Sequence, residues 1–408
     1  MNEIAANSPF MTLAAEPRPT IDGNIVIIES ADALLPYMQA LDALARASRD
    51  TNPQFEAYAL RAAMQYLSRD EIVRVALIWE NAHGEENNRL LIGAFPYVER
   101  RFYLGLPIRI WSIWTHIHSF IATPHVREGH EASAIRHFLD FADRTHVPML
   151  RFPYLQIGGA FDTALNEVAA ERKYVQAETD RHQRAFLQSA LEGDAYLDAT
   201  MRKKKRKEYN RLWNRMSEAG ELRFEIREDG AEAGPWVERF LELEARGWKG
   251  RRGTALYKRG NESFYFRTIC EEAAKAGKLH RTELTFDGKP IAMLASFRAN
   301  EGAYSFKIAF DEDYSRFSPG AMLMLKVIMP FLADKRIEWV DSCAIPDHPM
   351  IDHIWAERRG MRDVNIATAH PLSAALIAYS ARMSRVADLV WAKARTIYHR
   401  ILKEMNRG

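Results

Sequence analysis

Residues 303–325 read AYSFKIAFDEDYSRFSPGAMLML, the stretch with the sharpest local signal in the chain. Its pattern predicts a strand, a short loop and then a helix that begins at Ser318. Ser318 suits the N-cap position, and Pro319 suits the first helical position. Gly320 and Ala321 follow with little or no side chain. We therefore expect a strand–loop–helix unit with a small-residue helix start.

Such a helix start is suited to binding a pyrophosphate. Its free backbone N–H groups carry partial positive charge, and small residues allow an anion to come close. Arg316 adds a positive charge beside them. The alternative interpretation is a well-capped core helix without a ligand, and spacing alone weighs the two evenly.

The order of predicted elements on either side of this unit repeats. Each half of the chain reads as a strand, two helices, a strand meander, then helix, strand, helix and strand, without a residue-level repeat. This order predicts a mixed α/β (α+β) architecture with two copies of one fold. The predicted units are a loose tail at 1–23, a first domain at 24–195, a second domain at 196–370 and a basic amphipathic helix at 371–408.

Three predicted elements bear on the position of a site. An Ile- and Trp-rich run at 107–121 predicts one strand in the first half. In the second half, the pattern predicts a strand at Ile337–Ser342, a helix at Met350–Arg359 and a strand at Val364–Ala369. A basic helix is predicted over 198–219.

Composition and charge narrow the function classes. The chain has 408 residues with 56 Lys and Arg against 54 Asp and Glu, which argues against a whole surface built for nucleic acid. Two segments are nevertheless basic. Residues 202–215 hold eight Lys and Arg against Glu208, and residues 371–408 hold seven against Asp388 and Glu404.

Cysteine use and hydropathy point to a cytoplasmic protein. Cys270 and Cys343 form no CxxC pair, which excludes a zinc ribbon and a disulfide framework. No apolar run approaches the ~18 residues of a membrane span, and the first twenty residues lack a signal-peptide pattern.

Several short motifs, taken in order, resemble the GNAT superfamily of acyltransferases, in the branch that includes CelD-type and FemAB-like proteins. The strongest is FDEDYSRFSPG at 310–320 with its preceding strand. The other matching stretches are LEARGW at 243–248, DGKPIA at 287–292, residues 203–220 with the strand after them, IGAFP at 92–96 and ATP at 122–124. The resemblance covers residues 25–370.

The resemblance implies two tandem GNAT-like domains, each a mixed central sheet flanked by helices. Acyl-CoA, with acetyl-CoA as the first candidate, would bind in the second domain, and the first would shape the acceptor site. A backbone N–H of the strand would polarise the thioester carbonyl. The implied cofactor-binding residues are Phe306, Ile308, Phe310, Arg316, Phe317, Ser318, Pro319, Gly320 and Ala321.

One position departs from the pattern of that superfamily. Many of its members carry a tyrosine four residues before the glycine of a Gly-Phe pair, where it can protonate the leaving thiolate. Here Ala356 precedes Gly360 at that spacing, so this acid cannot be carried over.

Other residues are candidates for catalysis and acceptor binding. Asp341, at the end of the predicted strand, could act as base or position the acceptor, or it could cap the loop 342–349. His348 could relay a proton, or it could be a surface-loop histidine. Arg246 and Trp248 could bind the acceptor, or Trp248 could close the core. Four scattered histidines (His116, His118, His125 and His130) lack acidic partners at ligand spacing, so we expect no metal.

We therefore expect transfer of an acyl group to an amine, with an amino sugar or a cell-envelope or polysaccharide precursor as the acceptor class. The alternatives are a FemAB-like transferase that uses aminoacyl-tRNA, with tRNA on the basic run 202–215, and a non-catalytic binding protein on a GNAT scaffold. The helix at 371–408 could pack its apolar stripe on the body or contact a membrane surface.

Overall fold

One sheet runs through the whole chain. The computed structural model describes residues 20–81, 89–191, 193–253 and 255–405, without the side chains of 248–249, 388 and 391–405. The strand order is β1-β2-β3-β4-β5-β7-β14-β8-β13-β12-β11-β10-β9, and β6 pairs with β4 beside this path.

The strands are β1 (Thr20–Asp22), β2 (Ile25–Ile28), β3 (Val73–Asn81), β4 (Arg89–Arg100), β5 (Ile110–Ile113), β6 (His125–Val126), β7 (Met149–Gln156), β8 (Gln176–Leu187), β9 (Leu222–Arg227), β10 (Leu279–Phe286), β11 (Lys289–Ala299), β12 (Gly302–Phe310), β13 (Trp339–Asp341) and β14 (Glu357–Ala367). The α-helices are α1 (Met38–Arg46), α2 (Ala57–Tyr66), α3 (Glu131–Arg144), α4 (Ala160–Glu171), α5 (Gly193–Thr200), α6 (Lys203–Ala219), α7 (Ala233–Arg246), α8 (Trp248–Arg251), α9 (Gly260–Lys275), α10 (Pro319–Lys326), α11 (Ile328–Ala333) and α12 (Ser373–Met405). Short 3-10 turns lie at Leu35–Tyr37, Leu256–Lys258, Glu312–Phe317 and Ile351–His353.

The mixed α/β architecture with two similar halves is confirmed. Strands β2 to β5 and β7 form one end of the sheet, and strands β9 to β13 form the other. Within each half a single pair runs parallel, β5 with β7 and β12 with β13, while the meanders are antiparallel. Helices cover the sheet, and most buried apolar residues fall into two large clusters, of which one spans both halves and the other lies mainly in the second half.

The last strand of each half is exchanged with the other half. Strand β8 ends the first half but pairs with β13 of the second, and β14 ends the second half but pairs with β7 of the first. The two exchanged strands also pair with each other along most of their length. A division of the chain at residue 195 does not describe this exchange, which makes the two halves one sheet.

Three predicted elements need correction. The helix predicted at Met350–Arg359 is a 3-10 turn followed by β14, since residues from Glu357 onward pair with β8. The helical pattern came from Ile351, Ile354 and Trp355, which are buried with helical spacing in and after the turn. The strand predicted at 107–121 is limited to β5, since parallel pairing with β7 involves only Trp111 and Ser112. The basic helix predicted over 198–219 is divided between α5 and α6.

A buried ion pair joins the exchanged strands to the second half. The Asp341 carboxylate of β13 accepts hydrogen bonds from Arg184 of β8 at 2.7 Å and Arg359 of β14 at 2.9 Å. The guanidinium of Arg359 also lies 4.0 Å from the ring of Trp339. Burial opposes the charge of Asp341, but the two arginines outweigh it and hold the pKa of this carboxyl below its usual value. The carboxylate therefore stays ionised and anchors both exchanged strands.

Replacing Asp341 with asparagine should strongly destabilise the protein. Asp341→Asn leaves two buried guanidinium groups without their counter-charge, and we expect a loss of about 3–5 kcal/mol of unfolding free energy. Asp313→Asn, a change at an exposed aspartate of the same half, should stay within about 0.5 kcal/mol. Chemical denaturation measures both, and equal stabilities of the two variants would contradict the anchoring role.

Candidate functional site

The candidate site lies where β12 separates from β13. Their parallel pairing ends at Tyr304 opposite Asp341, while β12 continues to Phe310. The chain after Asp341 turns away through Cys343, which has a φ of 53°. Beyond Tyr304, β12 thus presents an edge that β13 does not cover, as the resemblance implied for the cofactor strand.

A bulge interrupts β12 at the start of this edge. Ser305 pairs with Ser296 of β11, but Lys307 pairs with the adjacent Ala295, so that Phe306 is the extra residue. A bulge re-aims side chains and backbone groups locally and is common beside active sites. Both Ser305 and Ser296 are buried, and their hydroxyls find no hydrogen-bond partner among the described residues. Polar groups in this position fit a ligand that carries amide or carbonyl groups.

The predicted helix start occupies its expected position with a different cap. Pro319 is the first residue of α10, and the Ser318 carbonyl accepts a hydrogen bond from the Met322 N–H at 3.0 Å. Ser318 has a φ of 53°, and its side chain makes no capping hydrogen bond, which corrects the side-chain capping that we expected. The left-handed backbone conformation of Ser318 links the 3-10 turn at Glu312–Phe317 to α10.

The open cradle expected at Gly320 also needs correction. A Cβ added there would lie 3.1 Å from Cδ1 of Phe310 and 3.5 Å from the sulfur of Met350. The small residue therefore makes room for these two side chains, and Pro319, Gly320 and Ala321 are buried. The positive charge beside the helix start is at the surface, since Arg316 is exposed and its guanidinium lies 4.7 Å from the Phe317 ring.

A charged cluster that the sequence analysis did not identify lies at the bulge. Lys307 Nζ is 3.1 Å from Nδ1 of His118, and His118 Nε2 is 3.3 Å from the carboxylate of Glu262 on α9. The side chains of His118 and Glu262 are 5% and 10% exposed. The His118 ring also stacks on Tyr265 and meets Phe306 edge-on. A cation, an imidazole and a carboxylate thus follow one another beside the open strand edge.

The geometry of this cluster assigns its hydrogen-bond directions. The Lys307 ammonium has only donors, so it donates to His118 Nδ1, and the neutral ring then carries its own proton on Nε2, facing Glu262. Arg259 also donates to Glu262 at 3.0 Å. The cluster can therefore hold a positive charge near the strand edge and move a proton between nitrogen atoms.

His118 reaches the second half on a long irregular segment of the first half. The side chain of Gln54 donates to the His118 carbonyl at 2.7 Å and accepts from the Phe120 N–H at 3.2 Å. The one indication of this cluster in the sequence is the proximity of His116 and His118, two of the histidines considered above as metal ligands. His125 instead accepts from the Asn52 N–H, and His130 faces Glu80.

The structure places the other predicted residues as follows. Asp341 lies in the buried ion pair, and its second oxygen accepts from the Cys343 N–H at 2.9 Å, which fits the capping alternative rather than a free base. His348 Nδ1 accepts from the Met350 N–H at 3.3 Å, and burial lowers the pKa of His348. Burial raises the pKa of the Cys343 thiol. Arg246 is exposed at the end of α7, and the side chain of Trp248 lies outside the described residues.

Comparison with known proteins supports the mixed α/β fold with two similar halves that is described above. Residues 203–348 match the family model of the acetyltransferase (GNAT) domain. These residues are therefore similar to a GNAT domain, and the chain has the fold of the following solved structures. FemX resembles it with a TM-score of 0.53 and 10% identity over 83% of this chain and 98% of that chain. A conserved protein of unknown function from Bacteroides thetaiotaomicron VPI-5482 gives 0.51 and 12% identity over 82% and 97%. No curated protein matches the sequence.

The buried imidazole of His116 should make the protein acid-sensitive. Burial, helped by the charge of Lys307, lowers the pKa of His116 to about 3 from 6.5. Below pH 6.5 the unfolded chain takes up a proton at this ring that the folded chain refuses, so stability falls as the pH falls toward 3. From pH 7.5 to 5 this histidine alone should remove about 2 kcal/mol of unfolding free energy.

Chemical denaturation at several pH values measures this effect. His116→Asn should lose about 2 kcal/mol less than the wild type between pH 7.5 and 5. His146→Asn is the matched control, because His146 is exposed and asparagine tolerates its φ of 55°. Parallel pH curves for the wild type and His116→Asn would contradict the prediction.

Proposed function

We propose that the second half transfers an acyl group from acyl-CoA to an amine at the open edge of β12. The observation that supports this most directly is the bulge, which brings an unpaired strand edge and the Lys307 cation together. A backbone edge suits the amide groups of a pantetheine arm, and a cation suits the charge that develops on a thioester carbonyl under attack.

The residues present fit acyl-CoA at both ends of the predicted site. Acyl-CoA supplies a thioester, whose acyl carbon is open to attack by an amine. The buried hydroxyl of Ser305 and the edge of β12 from Phe306 to Phe310 would hold the pantetheine, and the exposed Arg316 would meet the phosphates.

The cluster around Lys307 supplies an acid for the leaving thiolate, which Ala356 cannot provide. When the acceptor nitrogen bonds to the acyl carbon and the carbon–sulfur bond breaks, negative charge passes from the carbonyl oxygen to the departing sulfur. Lys307 can stabilise that charge and donate a proton to the thiolate. The acceptor amine gives up one proton in the same reaction, and that proton can pass to the neutral Lys307 amine that remains after the thiolate is protonated. His118, held between Lys307 and Glu262, keeps the Lys307 side chain in position.

The first half contributes to acceptor binding in this proposal. The first half provides His118. The second half provides Arg246, which is exposed at the end of α7. The acceptor class that we propose is an amino sugar or another amine of a cell-envelope or polysaccharide precursor, as the CelD-type resemblance implied. The compartment that we propose is the cytoplasm, which would supply acyl-CoA.

A second candidate, an aminoacyl-tRNA-dependent transferase of the FemAB-like kind, is favoured by one observation. Lys204, Lys207, Arg211 and Arg215 of α6 are all exposed, and their spacing puts them on one face of the helix. A linear row of cations fits a nucleic-acid backbone, and binding through it would weaken steeply with salt. A non-catalytic binding protein, the third alternative, would bind CoA but turn over no thioester.

Isothermal titration with acetyl-CoA and free CoA tests the donor. We expect saturable binding by the wild type and about tenfold weaker binding by Arg316→Glu, a difference of ~1.4 kcal/mol. Lys275→Glu, the same charge reversal at an exposed position on α9, should bind like the wild type. Failure of the wild type to bind either ligand, together with retention of tRNA that Lys204→Glu/Arg211→Glu abolishes, would favour the second candidate.

Steady-state kinetics tests the role of Lys307. We expect Lys307→Met to lower kcat/KM about 10²–10³-fold, because it removes the charge at the strand edge. The affinity for CoA should stay within about threefold, since no phosphate contact is lost. Lys307→Arg should recover part of the rate, and Lys289→Met, at an exposed lysine of β11, should leave it unchanged. An unchanged rate in Lys307→Met would remove Lys307 from the mechanism.

A further inference from the structure

The C-terminal helix leaves the body of the protein part-way along its length. Leu376, Ile377 and Ser380 of α12 are buried against the sheet, and the Ser384 hydroxyl donates to the Thr179 carbonyl of β8. Past this point the same helix continues to Met405, about 30 Å further at 1.5 Å per residue. The first part of the apolar stripe that the sequence predicted is thus seated on the body.

The apolar stripe continues after the helix leaves the body. Val386, Leu389 and Val390 are 44%, 66% and 61% exposed. Their spacing of three and four residues puts them on one side of α12, and Val386 follows Tyr379 by two helical turns. Three large apolar side chains on one face are therefore exposed side by side.

A loop of the first half extends this surface. Tyr379 Oη donates to the Leu104 carbonyl at 2.9 Å, which fixes the loop between β4 and β5 against α12. Phe102 and Leu104 of this loop are 71% and 45% exposed. We call Phe102, Leu104, Val386, Leu389 and Val390 the apolar face, because all five are exposed and the loop is bound to α12.

Basic residues adjoin the apolar face along the sequence. Arg101, Arg382 and Arg385 are exposed next to its members. From residue 382 to residue 405 the sequence contains six Lys and Arg against two acidic residues. Among the described residues, no helix combines the length and apolarity needed to cross a bilayer. A helix with an apolar side and a basic flank is suited to lie in the interface of an anionic membrane instead.

We propose that the apolar face docks on an anionic lipid bilayer, with α12 parallel to the membrane plane. Phe102, Leu389 and their neighbours would enter the boundary between headgroups and acyl chains, and the arginines would meet lipid phosphates. A second copy of the chain is the competing occupant, but two such faces would bring like charges together. A nucleic acid would use the cations and gain nothing from the exposed Val and Leu side chains.

Vesicle co-sedimentation of the full chain tests this proposal. The wild type should sediment with phosphatidylcholine vesicles that contain phosphatidylglycerol and remain in solution with phosphatidylcholine alone, and added salt should weaken its binding. Leu389→Ser/Val390→Ser should weaken binding about tenfold or more, because it removes two inserted side chains without changing the charge. Arg382→Ser/Arg385→Ser should weaken it by a similar factor through charge alone.

Ile21→Ser/Ile72→Ser is the matched control, because both isoleucines are exposed elsewhere, by 68% and 59%. This control should sediment like the wild type, and all variants should keep the wild-type melting temperature. Absence of binding to the anionic vesicles at low salt would overturn the proposal, as would equal binding of the Leu389/Val390 variant. A dimer in light scattering that the same variant dissociates, without vesicle binding, would assign the face to self-association. CoA titration is independent of all these outcomes.

Discussion

The carboxylate of Asp341 and the two guanidinium groups around it determine how the halves are joined. Arg184 belongs to β8 and Arg359 to β14, so the ion pair binds both exchanged strands to β13. A buried charge of this kind is stable only when its partners are present, and here each partner comes from a different strand. Arg184 also donates to the Phe120 carbonyl. The same group therefore fixes the irregular segment that carries His118 into the second half.

The candidate site depends on both halves for this reason. The strand edge, the bulge and the helix start come from the second half alone, through β11, β12, β13 and α10. The imidazole between Lys307 and Glu262 comes from the first half. The second half alone would keep a surface for a donor and lose part of the charged cluster. The first half therefore contributes a side chain to the charged cluster.

The sequence predicted those features that local signals determine. The strand, loop and helix of 303–325 follow from periodicity and from the Ser-Pro-Gly sequence, and the structure confirms their order. The contact of Phe310 with Gly320 and the pairing of Lys307 with His118, which lie 189 positions apart, depend on packing that spacing does not encode. The prediction of a helix at Met350–Arg359 was wrong because burial at helical spacing also occurs in a turn that leads into a strand.

The strand exchange has a consequence for synthesis on the ribosome. Strand β7, which pairs with β5 on one side, acquires its second neighbour only when residues 357–367 emerge, and β8 acquires both of its neighbours after residue 339. At ~5–20 residues per second, the first half waits on the order of 10–30 s with one open edge on β7 and with β8 unpaired. Unpaired strands are templates for pairing with other chains. Polysomes that bring several nascent copies close together would therefore open a route to exchange between chains that competes with exchange within one.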